Sequence, residues 1–149
     1  MAERKVQTQE RASFDAAYRA TSYLVDGPVG RFPVRIGVSS PEADALTATH
    51  GTACWAYITA YNPGSVPAPA ARNAERQRRL ERLLTDSGYR FYPGEGRADD
   101  AGWPAEPSLF VVGMDETAAA ALGRRFGQAA VVCGEQGRAA RLVWTGVSC

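Results

Sequence analysis

The hydrophobic pattern of the chain predicts six short strands. The segment RFPVRIGV at residues 31–38 has an apolar residue at every second position, which is typical of a half-buried strand. Residues 54–61 form a continuous apolar run with β-branched and aromatic members, as expected for a central strand that is buried on both faces. Shorter apolar runs predict further strands at residues 89–93, 108–113, 130–134 and 141–145.

Helical spacing of apolar residues, together with capping residues, predicts four helices. In the first, Phe14, Ala17 and Tyr18 fall broadly on one face. Asp115 is a good N-cap for the last helix, and Gly127 lies just beyond its end. The predicted helices cover residues 13–24, 41–49, 69–85 and 115–126.

The order of these elements predicts an α+β fold. Residues 54–134 read as strand, helix, strand, strand, helix, strand, which is the split β-α-β order of ferredoxin-like folds. An N-terminal helix and strand precede this core, and an extra strand follows it. We expect residues 13–149 to form a single domain and residues 1–12 to be disordered. Whether the strand at residues 31–38 inserts into the core sheet stays open.

This topology predicts where a functional site would lie. In an antiparallel sheet of this order, strand 54–61 ends, strand 89–93 ends and strand 108–113 begins at the same edge. The helix at residues 69–85 starts at that edge, and the helix at residues 115–126 finishes there.

Polar residues gather at this predicted edge. Asn73 and Arg76 lie on the core-facing stripe of a helix, where apolar residues would be expected, so we expect them to face a polar pocket. Glu95 and Glu106 are candidates for a paired acid and base in hydrolytic or transfer chemistry. The candidate ligand-binding residues are Thr59, Asn62, Asn73, Arg76, Trp103, Ser108 and Gln128.

The same edge favours an anionic ligand. A helix N-terminus that follows a Gly/Pro loop offers unpaired backbone N–H groups, and Arg76 adds a positive charge, so phosphate or carboxylate would fit. The alternative is structural: the asparagines satisfy loop carbonyls, Arg76 pairs with Glu95 or Glu106, and the cluster locks the loops. Ser108 is a weak nucleophile candidate because no G-x-S-x-G surrounds it and the single histidine, His50, belongs at the opposite edge.

Composition and charge exclude several classes of function. The chain has 149 residues, 45% of them hydrophobic, and a net charge of +1, which provides no general field for nucleic acid or an anionic membrane. The run RNAERQRRLERLL has a local positive excess, but its interleaved glutamates favour a solvated helix face with i, i+4 ion pairs over a nucleic-acid surface. No apolar stretch suits export or membrane insertion, so we expect a cytoplasmic protein.

No cofactor is indicated by the motifs. Three cysteines at wide spacing and one histidine support neither a disulfide framework nor a zinc site, and we expect buried or idle thiols in a reducing compartment. Gly94-Glu95-Gly96 lacks the third glycine of a dinucleotide fingerprint, and no P-loop motif occurs. The cysteines are Cys54, Cys133 and Cys149.

Five motifs occur in an order that resembles a known family. They are AYITAYNP at residues 56–63, NAERQRRL at 73–80, GEG at 94–96, WPAEPS at 103–108 and LGRRFGQAA at 122–130. Together they resemble the bacterial domain-of-unknown-function family number 3293 over about residues 15–145. The resemblance implies a small cytoplasmic bacterial protein and no particular activity, cofactor or substrate. From the resemblance we would expect Asn after the FGQ motif, but this chain has Ala129, which leaves Gln128 as the polar candidate.

Two hypotheses follow. In the first, the protein binds a small polar or anionic molecule at the loop edge, with Arg76 and the helix start holding the anionic group. In the second, it is a protein-interaction or regulatory module, the polar cluster is structural, and the working surface is the arginine-rich helix face or an exposed sheet edge. The first predicts an open pocket at the loop edge, whereas the second predicts a filled cluster.

Overall fold

A computed structural model describes residues 2–100 and 102–147 of the chain. It contains α1 (Ala2–Arg19), β1 (Thr21–Gly27), β2 (Gly30–Val34), α2 (Pro41–Thr49), β3 (Cys54–Ile58), a 3-10 turn (Pro63–Ser65), α3 (Ala70–Asp86), β4 (Arg90–Ala98), β5 (Glu106–Val112), α4 (Glu116–Arg125), β6 (Ala130–Glu135) and β7 (Arg141–Trp144). The class is α+β. The domain limits drawn above, residues 1–12 and 13–149, stay predictions.

The N-terminal region differs from the prediction. The first helix ends at Arg19, and residues 21–24, which were assigned to it, belong to β1. Tyr23 and Val25 are buried at alternate positions of this strand, and β1 pairs with both β2 and β4. Pairing on both sides outweighs the weak helical spacing of this segment. The predicted strand at residues 31–38 is the shorter β2, which ends at Val34.

The second difference is at the GEG motif. The predicted strand at residues 89–93 continues to Ala98, so Gly94, Glu95 and Gly96 lie within β4 and not in a loop. Gly94 pairs with Val25 of β1 on one side and with Ser108 of β5 on the other. The two glycines of the motif weakened the prediction of a strand, because glycine is unfavourable in strand interiors. In the structure, β1 and β5 both pair with this stretch of β4.

All seven strands form one antiparallel sheet in the order β2-β1-β4-β5-β3-β6-β7. The strand at residues 30–34 therefore lies at an edge and does not insert among the central strands. β1 and β2 extend the sheet beyond β4, and β7 extends it beyond β6.

Each face of the sheet has its own hydrophobic core. On one face, α3 and α4 cover β3, β5 and β6, and Leu80 and Leu84 of α3 are fully buried. On the other face, Phe110 and Trp55 stack with 5.1 Å between ring centroids and pack with residues of α2 and β2. Successive side chains of a strand point to opposite faces of the sheet. Because both faces are buried here, the central strands are apolar at successive positions.

The sheet curls until segments beyond its two edges meet. Ile36, just after β2, forms a parallel bridge with Ala140, just before β7, and Ser39 bridges Ala139. The Gly37 N–H donates to the Ala140 carbonyl at 2.8 Å, and the Ala140 N–H donates to the Val38 carbonyl at 3.2 Å. Among the helices within residues 2–100 and 102–147, none is long and apolar enough to cross a membrane.

Candidate functional site

The strand register brings the predicted site segments to one end of the sheet. Ile58, the last residue of β3, pairs with Leu109 of β5, and Gly94 of β4 pairs with Ser108. The loop after β3 leads into α3 at this end. The Gly64 N–H in that loop donates to the Gly127 carbonyl at 2.7 Å, which ties the loop to the end of α4.

Asn73 and Asn62 form a closed pair of amide groups beneath this loop. Asn73 is 4% exposed; its Oδ1 accepts from the Asn62 backbone N–H at 2.9 Å, and its Nδ2 donates to Asn62 Oδ1 at 2.8 Å. Asn62 Oδ1 also accepts from the Ala68 N–H at 3.0 Å. Asn62 has a left-handed backbone (φ 48°), a conformation that asparagine tolerates better than most residues. The pair therefore holds the loop onto the first turns of α3.

Two glutamines complete this lock. Gln77 Oε1 accepts from the Ala60 N–H at 2.9 Å, and Gln128 Nε2 donates to the Tyr61 carbonyl at 2.9 Å. Both side chains are buried. Gln77 was not predicted as a site residue, although its position four residues after Asn73, on the same stripe as Leu80 and Leu84, was the signal for it.

Thr59, Glu106 and Ser108 lie beside the lock and bond to neighbouring groups. Thr59 Oγ1 donates to the Pro107 carbonyl at 2.7 Å, and Ser108 Oγ donates to the Glu106 carbonyl at 3.0 Å. Asn62 Nδ2 donates to Glu106 Oε2 at 3.4 Å. Burial raises the pKa of the Glu106 carboxyl above its usual range, and its contacts with the Asn62 and Thr59 side chains offset part of that rise.

The structure separates the two candidate catalytic carboxyls. Glu95 pairs with Pro107, whereas Gly96 pairs with Glu106, so Glu95 and Glu106 leave opposite faces of the sheet. Glu95 forms ion pairs with Arg97 at 2.8 Å and Arg31 at 3.3 Å. The geometry does not form an acid and base pair around one ligand.

Trp103 also stands apart from the lock. It is 69% exposed, and its backbone N–H is 3.4 Å from the Asp100 carbonyl. The polar lock contains Asn62, Asn73, Gln77 and Gln128, with Thr59, Glu106 and Ser108 beside it.

Arg76 leaves the polar lock and lines a separate groove between α3 and α4. Its Nη2 makes a long hydrogen bond of 3.4 Å to the Phe126 carbonyl, and its buried Nε has no hydrogen-bond partner among the described residues. We call this open cavity of about 390 Å³ the arginine groove. It is lined by Arg76, Arg79, Arg82, Leu83, Asp86, Arg125 and Phe126.

The four arginines of the groove have no carboxylate partner. Within residues 2–100 and 102–147, none of them forms an ion pair at 4.0 Å or less. The i, i+4 pairs expected with Glu75 and Glu81 do not form, and Arg76 pairs with neither Glu95 nor Glu106. Asp86 is the one acidic residue in the lining. The groove lining therefore carries a net positive charge.

The described cysteines and the histidine form no metal centre. Cys54 and Cys133 are free thiols, and burial raises the pKa of Cys133 to about 12. The His50 Nε2 lies 2.7 Å from the Tyr92 hydroxyl. Among the described side chains, no group of three or more His, Cys, Asp and Glu could hold a metal ion. Cys149 lies outside the described residues.

The comparisons with known proteins give one match. No curated protein and no solved structure matches the chain. Residues 58–131 match the family described as "Protein of unknown function (DUF3293)". The matched segment runs from the end of β3 into β6 and includes the polar lock and the arginine groove. This segment of the chain is therefore similar to the DUF3293 family of proteins of unknown function.

Proposed function

We propose that the protein binds a small molecule with a phosphate or carboxylate group in the arginine groove. The observation that supports this is the set of four guanidinium groups that share one concave surface and form no ion pair with a carboxylate of the described residues. A guanidinium group presents planar donors that match carboxylate and phosphate oxygens in pairs. An anion in the groove would give these donors acceptors and reduce the repulsion among the arginines.

Arg76 is the inner residue of the proposed site. Its Nε is buried without a hydrogen-bond partner among the described residues, which costs free energy. The long bond from Nη2 to the Phe126 carbonyl leaves most of the guanidinium donors available. Arg79, Arg82 and Arg125 are less constrained, because α3 and α4 expose them.

In this proposal the polar lock is a support and not the ligand site. Asn73 and Gln77 hold the first turns of α3 against the loop after β3. Arg76 lies between them in sequence, so the lock fixes its position relative to Phe126. The proposal includes binding and no reaction, since Glu95 and Glu106 lie on opposite faces of the sheet.

We also propose that β3 to β6 with α3 and α4 form a ferredoxin-like core. The spatial order β4-β5-β3-β6, antiparallel throughout, supports this assignment. The placement of both helices on one face supports it further. A cytoplasmic location stays a proposal that the two free thiols favour.

The test is an anion titration with matched arginine variants. Inorganic phosphate, pyrophosphate and citrate are titrated at constant ionic strength, and the melting temperature and the heat of binding are recorded. Arg79→Gln removes one guanidinium from the groove, and Arg78→Gln removes the neighbouring exposed one that does not line it. We expect the parent and Arg78→Gln to bind with the same affinity, and Arg79→Gln to bind about tenfold more weakly, the size of one charged hydrogen bond.

Two results would contradict the proposal. One is equal weakening in the two variants, because the effect would then come from net charge alone. The other is a flat response of the parent to all three anions. A flat response would favour the protein-interaction hypothesis, which the filled polar lock also fits, and binding-partner capture would then use Arg79→Gln as its negative control.

A further inference from the structure

An apolar cleft lies beside the arginine groove near the end of α3. It is an open depression of about 270 Å³, and Leu83 and Arg125 line both it and the groove, so the two adjoin. We call it the apolar cleft. Its lining is Leu83, Leu84, Ser87, Tyr89, Met114, Ala118, Ala121, Leu122 and Arg125.

α3 and α4 run antiparallel to each other, and residues of both helices line the arginine groove and the apolar cleft. Arg76, in the first half of α3, meets Phe126 at the end of α4. Leu83 and Leu84, near the end of α3, line the cleft with Ala118 of α4. The arginine groove follows α3 from Arg76 to Asp86, and the apolar cleft lies beside its second half, so charged and apolar surfaces adjoin at Leu83 and Arg125.

The walls of the apolar cleft are only partly covered by the protein itself. Leu83, Tyr89, Ala118 and Leu122 pack against the edge of the core beneath α3 and α4 and remain partly exposed. Apolar surface in this position gains free energy when a ligand removes it from water.

We infer that the ligand is a small amphiphilic anion, with a phosphate or carboxylate head in the arginine groove and a short acyl or aromatic tail in the apolar cleft. This inference rests on the proposed anion binding. Charge complementarity selects the head, because four arginines line the groove with one aspartate. The groove and the cleft are adjoining open depressions of about 390 and 270 Å³, which together have room for a small molecule.

The experiment is a titration with alkyl phosphates of increasing chain length. Methyl, butyl, hexyl and octyl phosphate are used below the concentrations at which they form micelles, and affinity is measured by calorimetry at several temperatures. Each buried methylene is expected to raise the affinity about fourfold until the cleft is full. The heat capacity change of binding should become more negative along the same series.

Variants of the two cavities test the binding of the anionic head and of the apolar tail separately. Ala121→Gln places a polar side chain in the apolar cleft at an exposed helix position, and Thr117→Gln makes a similar change one turn earlier, outside the cleft. We expect Ala121→Gln to bind methyl phosphate as the parent does but to lose at least half of the gain from methyl to octyl phosphate. Thr117→Gln should keep the whole gain, and Arg79→Gln should weaken every member of the series.

The outcomes distinguish this inference from the proposed function. Equal affinity for methyl and octyl phosphate would overturn the amphiphile inference and leave anion binding intact. No binding of any alkyl phosphate, and none of inorganic phosphate, pyrophosphate or citrate, would overturn both. Binding to phosphatidylglycerol vesicles without binding of octyl phosphate would also overturn the inference, because the ligand would then be a lipid surface.

Discussion

Asn73 shows how far a sequence pattern can specify the role of one residue. Its place on an otherwise apolar helical stripe predicted that it faces inward, and it is buried. Its partner could not be predicted, because the pairing depends on the left-handed turn at Asn62. A buried amide in the right place can support a fold or bind a ligand, and only the hydrogen bonds distinguish the two.

Replacing Asn73 by Ala should destabilise the fold. The change leaves the Asn62 N–H without its acceptor and removes the donor to Asn62 Oδ1, so we expect a loss of about 2–3 kcal/mol in the free energy of unfolding. Urea unfolding measures this loss. Arg72→Ala, at the exposed preceding position, should stay within about 0.5 kcal/mol of the parent. An unchanged midpoint in Asn73→Ala would argue against the lock and for a direct role in binding.

The two glutamates show how the position of a strand end changes the interpretation of a candidate catalytic pair. When the predicted strand ended at residue 93, Glu95 lay in a loop that could turn toward Glu106. The strand continues to Ala98, and its alternation then fixes Glu95 on the face opposite to Glu106. An error of five residues in the predicted end of one strand therefore changes the expected positions of the two carboxyl groups relative to each other.

At the scale of elements, the central strands and the two helices that cover them were predictable, whereas β1 was not. β3, β5 and β6 contain continuous apolar runs, which are typical of buried central strands. Asp115 is the N-cap of α4 and marks its start. β1 depends on neighbours from distant parts of the chain, since it pairs with β4. Strand formation of this kind reflects tertiary context more than local sequence.

The close approach of β1 and β4 explains the first glycine of the GEG motif. A Cβ atom on Gly94 would lie 1.9 Å from the Leu24 carbonyl oxygen and 3.0 Å from the Tyr57 hydroxyl. That hydroxyl donates to the same carbonyl at 2.7 Å. A Cβ on Gly96, by contrast, would meet only ordinary contacts of 3.8 Å or more.

Gly94→Ala and Gly96→Ala should therefore differ strongly in stability. The first must push β1 from β4 and disturb the Tyr57 hydrogen bond, so we expect a loss of about 3 kcal/mol in the free energy of unfolding. The second should be neutral or stabilise the fold by up to about 1 kcal/mol, because alanine costs less backbone entropy in a strand. Chemical unfolding of both variants measures the difference. Equal effects would mean that β1 and β4 are not so closely apposed.

At the scale of the whole molecule, the overall composition does not reveal the arginine groove. A net charge of +1 averages an arginine-rich seam with acidic residues elsewhere. The local excess in the α3 sequence was visible, but its glutamates suggested ion pairs that are absent from the part of the chain that the structure describes. Arg125 joins the α3 arginines only because α4 packs beside α3, which no local pattern shows.

The closure of the sheet is also a property of the whole chain. Residues 36–39 and 139–140 are far apart in sequence, yet their bridges join the two edge regions. Each edge strand alone would present unpaired N–H and C=O groups, and this junction satisfies some of those that flank β2 and β7. α2 packs against the core that contains Trp55 and Phe110.

Ala140→Pro tests whether this junction stabilises the whole fold. Proline removes the N–H that donates to the Val38 carbonyl at a position that is 3% exposed, so we expect a loss of about 1–3 kcal/mol in the free energy of unfolding. Hydrogen exchange of the Gly37 amide should accelerate in the variant, because its acceptor is the Ala140 carbonyl. Arg138→Ala, in the same turn but exposed, should leave both measurements near the parent values. If Ala140→Pro behaved like this control, the edge strands would be held by β1 and β6 alone, and the bridges would contribute nothing to global stability.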